Sequence, residues 1–526
     1  MKLRTFTSAL ALAAALFATS ALTVPAAAQD AATISGGFDV GPGGMQGNFN
    51  PLAATSGFTW LSTYFEPLVI YNADLTAVVG DLATSFEVSD DQLTYTFKLA
   101  DTKWHDGEPF TAEDVKFTID LATNDKTGSV FAARLGAIAS VGTPDEHTVV
   151  ITLSAPTASM TDTLTKLMML PEHALEAIPA EELAKNAWWS TKPIGTGPFK
   201  FVQYATDQYV ELAANPDYRG GAPKVERLIN RFFADPAAAI AALRAGEIQF
   251  TYVDSTDVAT FADDTAFRVI EGPSYVVNYF GFNQQVPLWQ DVRVRQAFMH
   301  AIDRNAIIAS LYGGAAMPAN CVYTAEALVP ADIDDYAYDP EKAKALLDEA
   351  GWAEINGDKP IEVVTYYGSP LVANVLAAAQ AMLAQVGINI VPRAVDTPTY
   401  NSIVFSDKYD QFPMVFAGLQ NGPDASNINI GLNEKQIPPA GANIMRIRMP
   451  EVTAALDAAL AETDDAVRDA RYQDVCKATN ANLPWATMWV ANRYGVAASS
   501  LADFVWAPAP AGGPFESHPE KWTITN

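Results

Sequence analysis

The sequence has few residues of the types that carry covalent or metal chemistry. Its 526 residues include two cysteines and five histidines. No H-E-x-x-H pair and no G-x-S-x-G nucleophile elbow is present, and no histidine is spaced with a cysteine as in zinc sites. The sequence therefore predicts no catalytic residue, no metal site and no cofactor. This argues against an enzyme, with a secreted hydrolase or a chaperone as the remote alternatives.

Basic residues are also scarce. Lysine and arginine number 33 against 61 aspartates and glutamates, a formal net charge of −28. Nucleic-acid binders need basic patches that displace phosphate counterions, and docking to anionic lipid needs the same charge. Both classes of partner are therefore excluded. Beyond the N-terminus, no segment approaches the 18 apolar residues of a membrane span.

The N-terminus resembles a secretory signal peptide. Lys2 and Arg4 precede an alanine-rich apolar run over residues 10–22, and an A-x-A site ends at Ala28. We expect cleavage near Ala28, a mature chain that begins near Gln29, and a periplasmic location. No cysteine lies at the cleavage site, so no lipid anchor is expected.

The two cysteines are Cys321 and Cys476. An oxidising compartment permits a disulfide between them. Two buried thiols are the alternative, because sequence does not show whether their Cα atoms come within reach.

Strand and helix patterns alternate along the chain. Residues 94–99 and 147–153 alternate at period two, as half-buried strands do, and residues 361–391 read as a strand, a helix and a strand. Thr111, Asp235 and Asp339 are placed to begin helices, and residues 291–308 read as one long helix. His105-Asp106-Gly107 is interpreted as a tight turn rather than a catalytic group. These patterns predict an α/β protein with mixed sheets flanked by helices.

Several motifs in a fixed order resemble the family 5 extracellular solute-binding proteins, the binding subunits of oligopeptide, dipeptide, nickel and related ABC importers. The most distinctive is W-H-D-G-E-P-F-T-A-E-D-V-K at 104–116. It is accompanied by F-E-P-L-V at 65–69, P-I-G-T-G-P-F at 193–199, D-V-R-V-R-Q-A at 291–297 and Y-D-P-E-K-A at 338–343. The resemblance extends over essentially the whole mature chain.

The resemblance implies a two-lobed, type II periplasmic-binding-protein fold with an extra subdomain in lobe I. The expected divisions are a signal peptide (1–28), lobe I part a (29–65), the extra subdomain (66–190), lobe I part b (191–283), lobe II (284–490) and a return to lobe I (491–526). Crossover strands are expected near residue 283 and near 489–492. Such a monomer would capture a small oligomeric solute by lobe closure and deliver it to the transmembrane permease subunits.

One cleft loop bears on the ligand. In peptide-binding relatives it reads like Arg-Ala-Gly-Trp-x-x-Asp, and the aspartate holds the ligand's α-ammonium. Here residues 416–422 place Phe416 at the arginine position, Leu419 at the tryptophan position and Gly422 at the aspartate position, or Asn421 if the gap is shifted. The resemblance thus predicts that the anchoring carboxylate is missing.

This loss favours an oligosaccharide, an opine or a sugar conjugate, because Gln420 and Asn421 could bond to hydroxyl groups. The alternative is an ordinary oligopeptide or dipeptide binder in which Asp424 supplies the carboxylate. For every predicted cleft residue, core packing competes with ligand contact. The same correspondence gives the full set of expected ligand-binding residues: Ser56, Gly57, Phe58, Trp60, Tyr366, Tyr367, Ser369, Thr397, Phe416, Gly418, Gln420, Asn421 and Asp424.

Overall fold

Three β-sheets of four or more strands and two two-stranded ones organise the described part of the protein. The computed structural model describes residues 33–39, 49–53, 61–73, 75–272, 274–406, 412–420, 422–505 and 518–525. The strands are β1 (Thr33–Asp39), β2 (Val69–Tyr71), β3 (Val78–Gly80), β4 (Ala83–Val88), β5 (Thr94–Leu99), β6 (Ile138–Asp145), β7 (Thr148–Leu153), β8 (Phe199–Ala205), β9 (Tyr209–Ala214), β10 (Arg227–Phe233), β11 (Phe250–Val253), β12 (Phe267–Gly272), β13 (Val276–Phe282), β14 (Ala316–Pro318), β15 (Ile361–Thr365), β16 (Ile390–Ala394), β17 (Met414–Gln420), β18 (Trp485–Ala491), β19 (Arg493–Ala498), β20 (Leu501–Ala502) and β21 (Thr523–Ile524).

The α-helices lie between these strands, mostly on the faces of the sheets. They are α1 (Ala112–Thr123), α2 (Met160–Leu164), α3 (Glu172–Leu175), α4 (Ala180–Leu183), α5 (Trp188–Thr191), α6 (Pro236–Arg244), α7 (Ser255–Val258), α8 (Val292–His300), α9 (Arg304–Leu311), α10 (Pro340–Ala350), α11 (Trp352–Ile355), α12 (Pro370–Ala384), α13 (Thr397–Val404), α14 (Asn429–Leu432), α15 (Pro450–Leu460) and α16 (Asp465–Asn482).

The sheets define two lobes. Lobe I contains a seven-stranded sheet in the order β12-β19-β11-β1-β10-β9-β8 and a four-stranded sheet in the order β4-β5-β7-β6. One apolar core runs continuously through both of these sheets. Lobe II contains a six-stranded sheet in the order β14-β18-β13-β17-β15-β16. Both large sheets mix parallel and antiparallel pairs, which confirms the predicted α/β class.

The lobe II sheet is covered on both faces because its strands alternate. Phe280 and Phe282 of β13 and Phe416 of β17 point into a core shared with α8, α10 and α12. Tyr279 and Val415 point to the opposite face, into a second core shared with α15 and α16. Successive side chains of a strand point to opposite faces, so each strand contributes to two cores.

The helix boundaries follow the expected caps, with one exception. Asp235 and Asp339 accept from the backbone N–H three residues on, and Gly351 ends α10 with φ 75°. The prediction of one helix over 291–308 was wrong, because α8 ends at His300 and Asp303 caps a new helix by accepting from Ala306 N at 2.9 Å. The predicted strands at 94–99 and 147–153 and the predicted β-α-β unit are confirmed.

Candidate functional site

Two short segments carry the chain between the lobes. Gly272 ends β12 in the lobe I sheet, and Val276 begins β13 in the lobe II sheet. Ala491 ends β18 in lobe II, and Arg493 begins β19 in lobe I. The Glu271 carboxylate accepts from the Asn492 side-chain amide at 2.6 Å and so ties the two segments together. This side-by-side pair is the geometry of a hinge.

The first crossover comes one strand earlier than the boundary predicted at residue 283. Strand β13 pairs with β17 over its whole length and with β18 from Val277 to Gly281, so it belongs to lobe II. Asn283 lies at the far end of that strand, where its side chain donates to the Phe412 carbonyl at 2.9 Å. The second crossover lies at Ala491–Arg493, beside the predicted 489–492. The four-stranded sheet lies within the predicted subdomain, and β19 lies in the predicted return to lobe I.

Strand β17 is paired along the whole of one edge but along only part of the other, in the described part of the chain. On one side all seven residues pair with β13. On the other side β15 pairs in parallel only at Val363 with Met414 and at Val364 with Val415, and β15 ends at Thr365. Within the described part of the chain, no strand pairs with this second edge from Phe416 to Gln420. Such an edge presents backbone N–H and C=O groups that an extended ligand could pair with.

Gly418 lies in the middle of this edge, next to the hydroxyl of Tyr367. A Cβ at position 418 would lie 2.3 Å from the Tyr367 Oη and 2.7 Å from Val276 Cγ1. The Tyr367 hydroxyl also accepts from the Asn278 side-chain amide at 3.5 Å. Asn278 pairs with Gly418 across the sheet and was not predicted, because an isolated asparagine in an apolar strand carries no motif. The glycine is what allows the tyrosine to approach the strand so closely.

An aromatic cluster adjoins this position. The rings of Tyr366 and Tyr367 lie 4.4 Å apart, and Tyr366 packs edge-on against Tyr400 at 5.0 Å. Tyr366 and Tyr367 are half-buried, while Tyr400 is buried. Burial raises the pKa of the Tyr367 and Tyr400 phenols well above the usual value, so both stay neutral donors.

The other residues predicted to bind the ligand lie in several different environments. The Phe416 ring is 1% exposed and packs against Phe280 and Trp489, so any ligand contact at that position is through the backbone. Ser369 caps α12 by accepting from Val372 N at 3.4 Å, and Thr397 is exposed at the start of α13. The remaining predicted positions, which are Ser56, Gly57, Phe58, Trp60, Asn421 and the side chain of Gln420, lie outside the described residues.

Asp424 lies where lobe II meets the subdomain of lobe I. Its Oδ1 accepts from Ser426 N at 2.7 Å and caps a 3-10 helix. Burial and the nearby Asp162 raise the pKa of the Asp424 carboxyl, while the Ser426 hydrogen bonds and Lys166 lower it. Asp162 and Lys166 were not predicted, since they lie more than 250 residues away in sequence and no motif links them to this loop. Asp424 is therefore already part of a contact between the lobes.

The turn at residues 105–107 is structural. His105 Nε2 lies 3.0 Å from the Gly197 carbonyl, and Gly195 N donates to His105 Nδ1 at 3.2 Å. Burial lowers the pKa of His105 to about 4, so the imidazole is neutral and holds two backbone segments together.

Cys321 and Cys476 are joined by a disulfide with Cα atoms 5.5 Å apart. In the described ranges, no group of three or more histidine, cysteine, aspartate or glutamate side chains is placed to hold a metal ion. Among the helices described, none combines the length and the apolar character that a membrane crossing requires.

Comparison with known proteins identifies the family. Residues 77–436 match the family described as bacterial extracellular solute-binding proteins, family 5 middle. The chain is 76% identical, over all 526 residues and the full length of both chains, to a putative ABC transporter peptide-binding protein of Brucella melitensis.

Two solved structures have the same fold. The oligopeptide-binding protein AppA of Bacillus subtilis, solved with a nonapeptide, has a TM-score of 0.84 and 25% identity, covering 94% of this chain and 99% of its own. NikZ of Campylobacter jejuni, solved with Ni(L-His), has a TM-score of 0.83 and 25% identity, covering 93% and 99%. The chain belongs to the family 5 bacterial extracellular solute-binding proteins and is the binding subunit of an ABC importer, not an enzyme.

Proposed function

We propose that this protein captures an extended, peptide-class solute in the periplasm by closing its two lobes, and that as a monomer it delivers the solute to the permease. The solute is held mainly through its backbone, along the free edge of β17. Binding does not depend on a carboxylate that holds the α-ammonium group of the solute.

The unpaired edge from Phe416 to Gln420 is the observation that carries this proposal. A chain laid beside this edge would form strand-like hydrogen bonds whose strength does not depend on side-chain identity. Tyr366 and Tyr367 would cover one side of it, since these half-buried rings adjoin Gly418. The peptide-binding names of the Brucella relative and of AppA support a peptide-class ligand.

The absence of an ammonium anchor rests on two observations. The loop has Phe416 and Gly422 where peptide-binding relatives are expected to have arginine and aspartate. The carboxylate that could substitute, Asp424, already faces Asp162 and Lys166 of the other lobe. A charged end buried without a partner costs about 3–5 kcal/mol. A solute with a blocked or absent amino group avoids this cost.

A second candidate follows from the same loop. A neutral polyhydroxylated solute, such as an oligosaccharide or a sugar conjugate, needs no charged anchor at all. The predicted contacts at Gln420 and Asn421 would suit its hydroxyl groups, and the tyrosine rings would suit its apolar faces.

The test begins with the solute itself. Native mass spectrometry of the purified protein should identify a bound solute that is released chemically unchanged. Calorimetry then compares matched peptides with a free and an acetylated amino end. We expect the acetylated peptide to bind more tightly, by on the order of a hundredfold or more, because only the free ammonium is buried without a partner. Loss of binding on acetylation would show that an ammonium anchor exists, with Asp424 as the candidate for it. Binding of sugar conjugates alone would support the second candidate.

A variant tests the predicted loop contact. Asn421→Ala should weaken binding by about 1–3 kcal/mol, because it leaves a buried polar group of the solute unpaired. Asn401→Ala is the matched control, since Asn401 is exposed on α13. Equal affinities for the two variants would remove Asn421 from the site.

A further inference from the structure

Side chains from the two lobes meet at Asn427. The Asn427 Oδ1 accepts from Arg134 Nη1 at 3.2 Å and lies 3.4 Å from Lys166 Nζ. Arg134 and Lys166 belong to the subdomain of lobe I, whereas Asn427 follows β17 in lobe II. Asn427 also donates to the Asp424 carbonyl at 3.0 Å, which fixes the direction of its amide. The neutral Asn427 Oδ1 is thus in contact with two positively charged side chains of the opposite lobe.

The lobe I half of this contact is held within lobe I. Lys166 Nζ lies 2.6 Å from Asp162 Oδ2, and these side chains are 10% and 2% exposed. The Tyr71 hydroxyl donates to Asp162 Oδ1 at 3.0 Å. Opening the lobes leaves these contacts unbroken, because all three residues move together. Within this group of residues, opening separates the contacts to Asn427 and Asp424.

Asp424 contributes a second carboxylate to the contact. Asp162 and Lys166 face it from the subdomain, and Tyr323 and Tyr472 face it from its own lobe. Both phenols are buried, and burial keeps them neutral with pKa values above the usual range. The charge of Asp424 also contributes to the raised pKa of Tyr71, and Arg134 donates to the neighbouring Asn427. The closed state therefore places two carboxylates near one lysine in a partly dehydrated space.

The subdomain also contacts lobe II at a second place. Ala158 N donates to the Leu460 carbonyl at 2.8 Å, and Gln92 Nε2 donates to the Thr463 carbonyl at 3.1 Å. The two accepting carbonyls lie at the last residue of α15 and in the turn that leads to α16. These contacts involve no titratable side chain, so they favour closure equally at every pH.

We propose that Arg134, Lys166 and Asp162 of lobe I, with Asn427 and Asp424 of lobe II, form a proton-linked latch that stabilises the closed state without any solute. The contacts at Asn427 hold the lobes together. The carboxylate pair makes the strength of this latch depend on pH.

The sign of the pH dependence follows from the contacts. In the open state Asp424 is separated from Asp162 and hydrated, so its pKa is the ordinary value near 4. Closure raises that pKa through burial and through Asp162. A proton therefore binds the closed state more tightly, and acid favours closure. Between the open and closed pKa values, the closed-to-open ratio falls by up to about tenfold per pH unit as pH rises.

The experiment uses the full-length mature protein, freed of solute by unfolding and refolding. Spin labels at Glu181→Cys in the subdomain and Glu354→Cys in lobe II, both exposed, report the inter-lobe distance. The wild type should show a growing closed population as pH is lowered from about 8 to about 4. Asp424→Asn should be closed over this whole range, whereas the matched control Asp474→Asn, on the exposed face of α16, should behave as the wild type.

A second variant tests the geometry independently of titration. Asn427→Ala should lower the closed-to-open ratio by about tenfold, while Asn305→Ala, exposed on α9, should leave it unchanged. In a double-mutant cycle with Arg134→Ala, the two effects should not add, because both remove the same contact.

Circular dichroism at each pH confirms that every variant is folded. An Asn427→Ala protein as closed as the wild type, or identical pH profiles for the wild type and Asp424→Asn, would overturn the latch. Because no solute is present, either result leaves the proposed ligand class untouched.

Discussion

Replacing Gly418 with alanine tests how the candidate cleft is built. The new Cβ would lie 2.3 Å from the Tyr367 Oη and 2.7 Å from Val276 Cγ1, whereas ordinary contacts are 3.4–4 Å. The tyrosine must swing away from the strand, and overpacking of this kind costs about 1–3 kcal/mol. We therefore expect Gly418→Ala to lower the free energy of unfolding by that amount. Solute affinity should fall with it, because the displaced ring would cover the β17 edge.

Urea unfolding and calorimetry measure the two effects. Gly142→Ala is the matched control, since Gly142 also lies in a strand and its nearest neighbour, the Val150 carbonyl oxygen, is 3.8 Å from the added Cβ. Tyr367→Phe combined with Gly418→Ala should recover part of the lost stability, because it removes the closest atom. A Gly418→Ala protein as stable as Gly142→Ala, with unchanged affinity, would refute this account of the edge.

Three further predictions concern stability. Replacing Cys321 and Cys476 with serine should lower the free energy of unfolding by about 2–5 kcal/mol, because the disulfide closes a long loop, and reductant should not destabilise this variant further in thermal unfolding. Burial and the charge of Glu66 raise the pKa of the Asp81 carboxyl to about 8, although the charge of Arg219 lowers it. The folded state therefore binds this proton more tightly, and the free energy of unfolding should fall as pH rises from about 4 to about 8. Asp81→Asn should reduce that fall, as measured by urea unfolding at each pH. Burial lowers the pKa of His105 to about 4, so on acidification the imidazole takes up its proton in the unfolded chain before it does so in the folded protein. The free energy of unfolding should therefore fall as pH drops below about 6.5. A His105→Gln protein whose free energy of unfolding depends on pH as in the wild type would contradict this.

Local features of the fold could be predicted from the sequence because their causes are local. Asp235 and Asp339 begin helices since each carboxylate reaches a backbone N–H three residues on, and alternating side chains mark β5 and β7. The split of the helix predicted over 291–308 was missed. The predicted helix ran straight through Asp303, although aspartate is also a strong N-cap.

The candidate site was harder to predict because it depends on contacts between distant segments. The loop at 416–422 suggested Gly418 through the resemblance, and the edge of β17 supplies its physical role. The meeting of Asn427 with Arg134 and Lys166 needs the relative position of the lobes, which no periodicity encodes. Phe416 was proposed as a ligand contact, and the strand's alternation turns its ring into the core instead.

Small-angle scattering of the solute-free and solute-saturated protein tests the central claim most directly. It should be done near pH 8, where the proposed latch is weakest and the free protein is most open. A solute that contacts both lobes stabilises the closed state by its differential affinity for that state. The account predicts a smaller radius of gyration at saturation. An unchanged radius at full occupancy would contradict capture by lobe closure.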